Sequence, residues 1–187
     1  MVTGLNVFRD YFADDTDKYV LIGGAACDKD MTVPCEDGLI NLRVGAIIMK
    51  DGKLLMVGNN RAPYLYSVGG RIKFGETSEE AVEREVFEET GVKMKVDRLG
   101  FIHENYFYGD AESNLGKLIY EVSFFYYMKV PDDFEPVCMS MTEDDQEEFL
   151  RWIDVNDPMK YYPEFFRGEL LHQVDGVKHF VTDERVC

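Results

Sequence analysis

Residues 70–92 place the tightest constraint on what this chain can fold into. Thr77-x-x-Glu80 is a capping box, in which each side chain answers a free backbone N–H at a helix start. Gly91 stands where a helix end favours a left-handed residue. Together they predict one helix over residues 78–90. At about 100° per residue, Glu85, Glu88 and Glu89 fall within an arc of about 100° as i, i+3 and i+4 neighbours. Ala81 is expected between them, one turn earlier, keeping that face open. Val82 and Val86 form an adjacent apolar edge suited to packing on a sheet. Arg84 flanks the acidic arc and is expected to partner one carboxylate, not three.

Like charges at this spacing each cost a few tenths of a kcal/mol. Partial burial raises their pKa values unless a cation intervenes. Clustered carboxylate oxygens with no matching base suit a hard divalent cation, Mg2+ or in its place Mn2+. Taken alone, a Glu-rich helix is more simply a solvated face; the glycines before it change the reading. Gly69-Gly70 follow the β-type run Tyr64-Leu-Tyr-Ser-Val and let backbone come close to a ligand or metal. Gly75-Glu76 makes a second turn and sets Glu76 near the positive end of the helix.

Gly70-x5-Glu76-x7-Arg84-Glu85-Val86-x-Glu88-Glu89-x-Gly91-Val92 matches every fixed position of the Nudix box. The chain therefore resembles the Nudix hydrolases, which cleave a nucleoside diphosphate linked to another moiety. The resemblance covers most of residues 31–185 and implies an α/β fold, an α/β/α sandwich with a mixed β-sheet. Residues 31–187 would be the Nudix domain, and residues 1–30 an N-terminal extension packed on it. The resemblance also implies Glu85, Glu88 and Arg84 as catalytic residues. Glu85, Glu88, Glu89, Gly70 (through a carbonyl there or at Gly69) and Glu76 would hold Mg2+, with Mn2+ a substitute. Many members have a proline where Val68 stands and an acid where Lys73 stands; neither change removes a ligand. Members often add a carboxylate ahead of a tryptophan-bearing strand, and here Glu147 or Glu148 precedes Trp152.

Around this segment the pattern is mostly β. Residues 39–49 and 54–57 flank Asp51-Gly52, a short-hairpin signal. Residues 92–101, 118–130, 149–153 and 178–182 read as further strands, and residues 163–174 as a second helix with Pro163 in its first turn. Within residues 1–30, 6–12 suggest a short helix and the apolar stretch from Tyr19 an extra edge element. The 20 Lys and Arg against 36 Asp and Glu give a net charge of −16. Such a surface repels nucleic-acid backbone and anionic membrane, which excludes a duplex-DNA binder. It does not exclude an anionic small substrate, because bound cations invert the local field. No apolar run approaches the ~20 residues that span a bilayer. Cys27, Cys35, Cys138 and Cys187 match no zinc spacing and read as free thiols. With an acidic N-terminus in place of a basic start and an apolar run, they point to a cytoplasmic protein.

The expected activity is Mg2+-dependent hydrolysis of a dinucleoside polyphosphate, an ADP-ribose-like sugar nucleotide or a nucleoside triphosphate by metal-activated water. Glu85 or a loop Glu would take the proton. Tyr64, Tyr66 and Tyr108, with Tyr106 and Phe107, are candidates for stacking on a nucleobase. Arg61 is a candidate for a distal phosphate. His103, His172 and His179 lie scattered, with no Ser or Cys partner in sight, and read as structural. A catalytically silent nucleotide-sensing Nudix module is the alternative, against which the intact ligand set weighs. An acidic cation-binding structural protein is a third reading. A homodimer is left open.

Overall fold

The computed structural model describes residues 29–36, 38–60, 62–110, 114–137, 148–172 and 175–185. The first sheet contains β1 (Thr32–Cys35), β2 (Gly38–Ile47), β6 (Lys95–Tyr108), β7 (Leu118–Lys129) and β10 (Lys178–Asp183), in the order β1-β2-β7-β6-β10. It is mixed: β1 on β2 and β6 on β7 are antiparallel, while β2 on β7 and β10 on β6 are parallel. The second sheet contains β3 (Met49–Lys50), β4 (Lys53–Asn59), β5 (Leu65–Ser67), β8 (Glu148–Asp154) and β9 (Tyr161–Tyr162). Here β4 is central and pairs with β3, β5 and β8.

The Asp51-Gly52 turn joins β3 to β4, with φ of 51° and 75° at its two residues. Both angles lie in the left-handed region that such two-residue hairpin turns need. Helix α1 (Ser78–Thr90) has its predicted bounds and its predicted caps. Thr77 and Glu80 close the capping box, and Gly91 ends the helix at φ 72°. Ala81, Val82 and Val86 are fully buried against Val44, Ala46 and Ile48 of the β2 segment and against Leu55, Val57 and Met128. This mostly aliphatic core lies under α1. Ala81 therefore packs into the core and does not hold the acidic face open. Its methyl points inward with the valines, because one helix turn cannot point both ways.

The other face of the first sheet carries a core rich in aromatic rings: Phe101, Phe125, Tyr127, Tyr161 and Phe166, with Phe165 and Phe180 against it. The second helix is shorter than the sequence predicts. It is α2 (Phe166–Glu169), one turn long, and residues 173–174 lie outside the described residues. No side chain caps its start, and Gly168 sits inside it, so packing of Phe166 and not helix propensity holds it. The predicted elements within residues 1–28 also lie outside the described residues. The chain is first described at Lys29, whose carbonyl accepts from Phe74 N at 2.9 Å. Among the described residues no helix is long and apolar enough to cross a membrane.

Candidate active site

Residues 68–72 run beside β2 as an extended segment. Ala46 N donates to Val68 O at 2.7 Å, Val44 N to Gly70 O at 2.9 Å and Ile72 N to Leu42 O at 2.9 Å. These bonds bring the double glycine under the acidic edge of α1. Gly69 has φ 145°, and a Cβ there would stand 2.2 Å from Val44 O. A Cβ on Gly70 would stand 2.4 Å from Glu85 Oε1. Glycine at 69 is thus required by close approach to strand backbone, whereas a side chain at 70 would displace the Glu85 carboxylate. The Gly70 carbonyl already accepts one strand hydrogen bond.

Arg84 is surrounded. Its Nε and Nη2 donate to the two Glu76 oxygens at 3.1 and 2.6 Å. Its Nη1 donates to Glu85 Oε1 at 2.6 Å and to Glu88 Oε2 at 3.1 Å. Nη2 also reaches Arg71 O at 3.1 Å. The expectation of one carboxylate partner is corrected to three. A planar guanidinium offers five N–H groups in a fixed fork, enough for a bidentate pair and two single bonds. Although burial pushes the Glu76 carboxyl upward, hydrogen bonds from Arg84 and the Lys73 N–H hold it below its usual range. The acidic neighbours raise the Arg84 pKa despite its burial.

The other side of the cluster is short of positive charge. Glu89 is only 6% exposed. Its Oε1 accepts from Gly69 N at 3.0 Å, and its buried Oε2 has no hydrogen-bond partner among the described residues. Burial drives its pKa well above the ordinary value, and the charges of Glu148 and Glu85 add to the rise. Burial also raises Glu85, with Arg84 opposing it. Glu88 is half exposed at the rim. Among the described residues no three acidic, His or Cys side chains close into a ready metal cage; the helix carboxylates close on the guanidinium. The donor set at Glu89 nevertheless fits a hard divalent cation. It offers a buried, unanswered carboxylate oxygen beside two further carboxylates.

Glu148 reaches this cluster from the start of β8. Tyr66 OH donates to its Oε1 at 2.5 Å, and Asn59 Nδ2 donates to Tyr66 OH at 3.4 Å. Burial, then the Glu148 bond, raises the Tyr66 hydroxyl pKa. Tyr66 thus holds a carboxylate, and its hydroxyl end is committed. Tyr64 lies further out, edge-on to Tyr162 and donating to Asp110 at 3.2 Å, its pKa pushed up to about 12 by burial and by Asp110. Tyr108 is exposed at the far end of β6, and Tyr106 stacks on Tyr120. Arg61 and Glu147 lie outside the described residues.

Sequence reasoning missed Arg43. Its positive charge lowers the pKa of both Glu85 and Glu89, and its Nε lies 3.7 Å from Glu121 Oε2. Asn41 and Arg43 are polar at alternate positions of an otherwise apolar strand, and that alternation was the available signal.

A model of the NUDIX domain matches residues 40–174. A MutT-like protein of Streptomyces ambofaciens is 36% identical over 61 residues, which is 33% of this chain and 40% of that protein. An ADP-ribose pyrophosphatase of Methanocaldococcus jannaschii is 44% identical over 59 residues, 30% of this chain and 35% of that protein. The chain thus spans well under half the length of these curated relatives. Among solved structures, the MutT protein from Bacillus halodurans superposes with a TM-score of 0.53 at 18% identity, covering 77% of this chain and 91% of that one. A NUDIX hydrolase from Nitrosomonas europaea gives 0.51 at 15% identity, covering 76% and 79%. At these identities the likeness concerns the fold, which is the mixed-sheet sandwich expected.

Proposed function

Because the chain belongs to the Nudix family, we propose that it is a divalent-metal-dependent pyrophosphohydrolase. It would cleave the phosphoanhydride bond of a nucleoside diphosphate linked to a further group. The observation that carries this reading is Glu89: a buried carboxylate with one oxygen fixed by Gly69 N–H and the other unanswered, facing Glu85 and Glu148. A buried anion in that position is costly without a cation. Glu85, Glu89 and Glu148, with Glu88 and Glu76 at the rim, are the residues that would hold Mg2+ or Mn2+. Bound there, the ion supplies charge compensation for the phosphates and acidity for a water molecule.

The chain's own residues do the positioning. Arg84 fixes Glu85 Oε1 and ties it to the Glu76 turn, so the carboxylate cannot swing away. Glu85, buried and raised in pKa, is the residue that takes the proton from water. Tyr66 and Asn59 hold Glu148 in place. The name of one relative, an ADP-ribose pyrophosphatase, supports ADP-ribose-like sugar nucleotides as candidate substrates, with nucleoside triphosphates and dinucleoside polyphosphates beside them.

The test is a panel of ADP-ribose, dinucleoside polyphosphates and nucleoside triphosphates, each with Mg2+, Mn2+ or chelator. Metal-dependent hydrolysis of at least one nucleotide is expected. Binding without turnover across the panel would favour a nucleotide sensor, and neither binding nor turnover would reject both readings.

A further inference from the structure

A row of polar side chains crosses the first sheet on the face away from α1. Register places Thr32 beside Asn41, Asn41 beside Glu121, Glu121 beside Asn105 and Asn105 beside Thr182. Cross-strand partners share a face, so all five side chains lie on the side that carries Phe125 and Phe101. Ser123 and His103 form part of the adjacent row. Within this strip some groups are answered: Ser123 Oγ donates to Glu121 Oε1 at 3.2 Å, and His103 Nε2 bonds Thr182 Oγ1 at 2.9 Å. Three are not. Thr32 Oγ1, Asn41 Oδ1 and Asn105 Oδ1 are buried with no hydrogen-bond partner among the described residues, and Asn41 is only 3% exposed.

Three orphaned oxygens in one row are a pattern, because buried polar groups in native proteins are nearly always paired. Leaving them so costs stability, so each such group calls for an explanation, and a ligand's donor is one that three in a row share. The row's charge says which part of a ligand fits. Glu121 lies between the two asparagines and disfavours phosphate. Arg43, two residues from Asn41 on the same strand face, bears on both Glu121 and the Glu85–Glu89 pair. The phosphate end of a substrate therefore belongs beside Arg43 and the carboxylate cluster, and its neutral end over the row. Asn41 and Asn105 are two strands apart, about 10 Å, which is wide enough for a nucleoside.

Resting on the pyrophosphohydrolase reading, we propose that Asn41 and Asn105 are specificity-determining residues that accept hydrogen bonds from neutral N–H or O–H donors on the nucleoside portion of the substrate. The donor is either a base amino group or a ribose hydroxyl.

The test uses the full chain with Asn41→Leu and Asn105→Leu, which keep the branched shape and remove the carboxamide's acceptor and donors. Substrates are the adenine, hypoxanthine and 2′-deoxy forms of whichever nucleotide the wild type cleaves. Each variant should show Tm raised by a few degrees without ligand, since a buried unpaired group is gone. KM should rise at least tenfold while kcat changes less than threefold. The KM penalty should shrink for the one analogue that lacks the matching donor: hypoxanthine identifies the amino group, the 2′-deoxy form the hydroxyl. A fall in Tm would mean the carboxamides are satisfied within the fold and would overturn the proposal. So would an unchanged KM, or a penalty of equal size on every analogue. If the wild type cleaves nothing, the hydrolase reading fails separately. Metal-free calorimetry with ADP-ribose then decides: binding weakened tenfold by the variants upholds the row as a recognition site, and no binding or equal binding rejects it.

Discussion

On the two faces of β2 the protein buries polar groups, and it treats them in opposite ways. On the α1 side the groups are charged, and charge is met by charge: Arg84 binds Glu76, Glu85 and Glu88, while Glu89 Oε2 is left over among the described residues. On the opposite face the orphans are neutral, the asparagine and threonine oxygens of the cross-strand row. The difference teaches what each region lacks. A leftover carboxylate oxygen calls for a cation; leftover carboxamide oxygens call for a neutral hydrogen-bond donor.

Breaking the charged region should give the largest effect. Glu89→Gln keeps the Gly69 contact and removes the charge, so turnover should fall on the order of 100-fold or more. In metal-free protein the same change should raise Tm, because a buried anion disappears. Wild-type turnover by this variant would break the comparison. Arg84→Lys comes next. Lysine cannot supply the bidentate fork, so kcat/KM should fall about 10- to 100-fold, the range for partners that orient metal-binding side chains. Stability should drop by about 1–3 kcal/mol as Glu76 and Glu85 lose their hydrogen bonds. Gly70→Ala should cost about tenfold in turnover, because its Cβ would stand 2.4 Å from Glu85 Oε1 and push that carboxylate aside. Steady-state kinetics and thermal melts read all three.

The smallest effect sharpens the neutral side. Burial lowers the His103 pKa from 6.5 to about 4, so the ring beside the row stays uncharged. In the unfolded chain His103 binds a proton near pH 6.5, so its contribution is present above that pH and lost as pH falls toward 4. The size should be on the order of 1 kcal/mol. His103→Gln should flatten that part of the stability–pH curve, and an unchanged curve would show that the strip tolerates charge.

How much of this could be read in advance follows the range of the interactions. The capping box and Gly91 are local signals, and α1 has its predicted bounds. The Asp51-Gly52 turn and the long strands were legible for the same reason. The helix expected over residues 163–174 shrank to Phe166–Glu169 because its formation depends on aromatic packing from β6, β7 and β10, which no short window contains. The Nudix spacing singled out carboxylates that the fold brings together but could not say that Arg84 would bind three of them, since Glu76 folds back onto the helix only through the Gly75 turn. The role of Tyr66 as a clamp on Glu148, and not a stacking face, needs the pairing of β4 with both β5 and β8. The polar row needs five strands in register.

The most direct measurement is a crystal structure grown with Mn2+ and a non-hydrolysable nucleotide, with anomalous scattering to locate the ion. An anomalous peak is expected about 2.1 Å from Glu89 Oε2, on the side of Glu85 and Glu148. An ion bound elsewhere, with Glu89 Oε2 still unliganded, would contradict it.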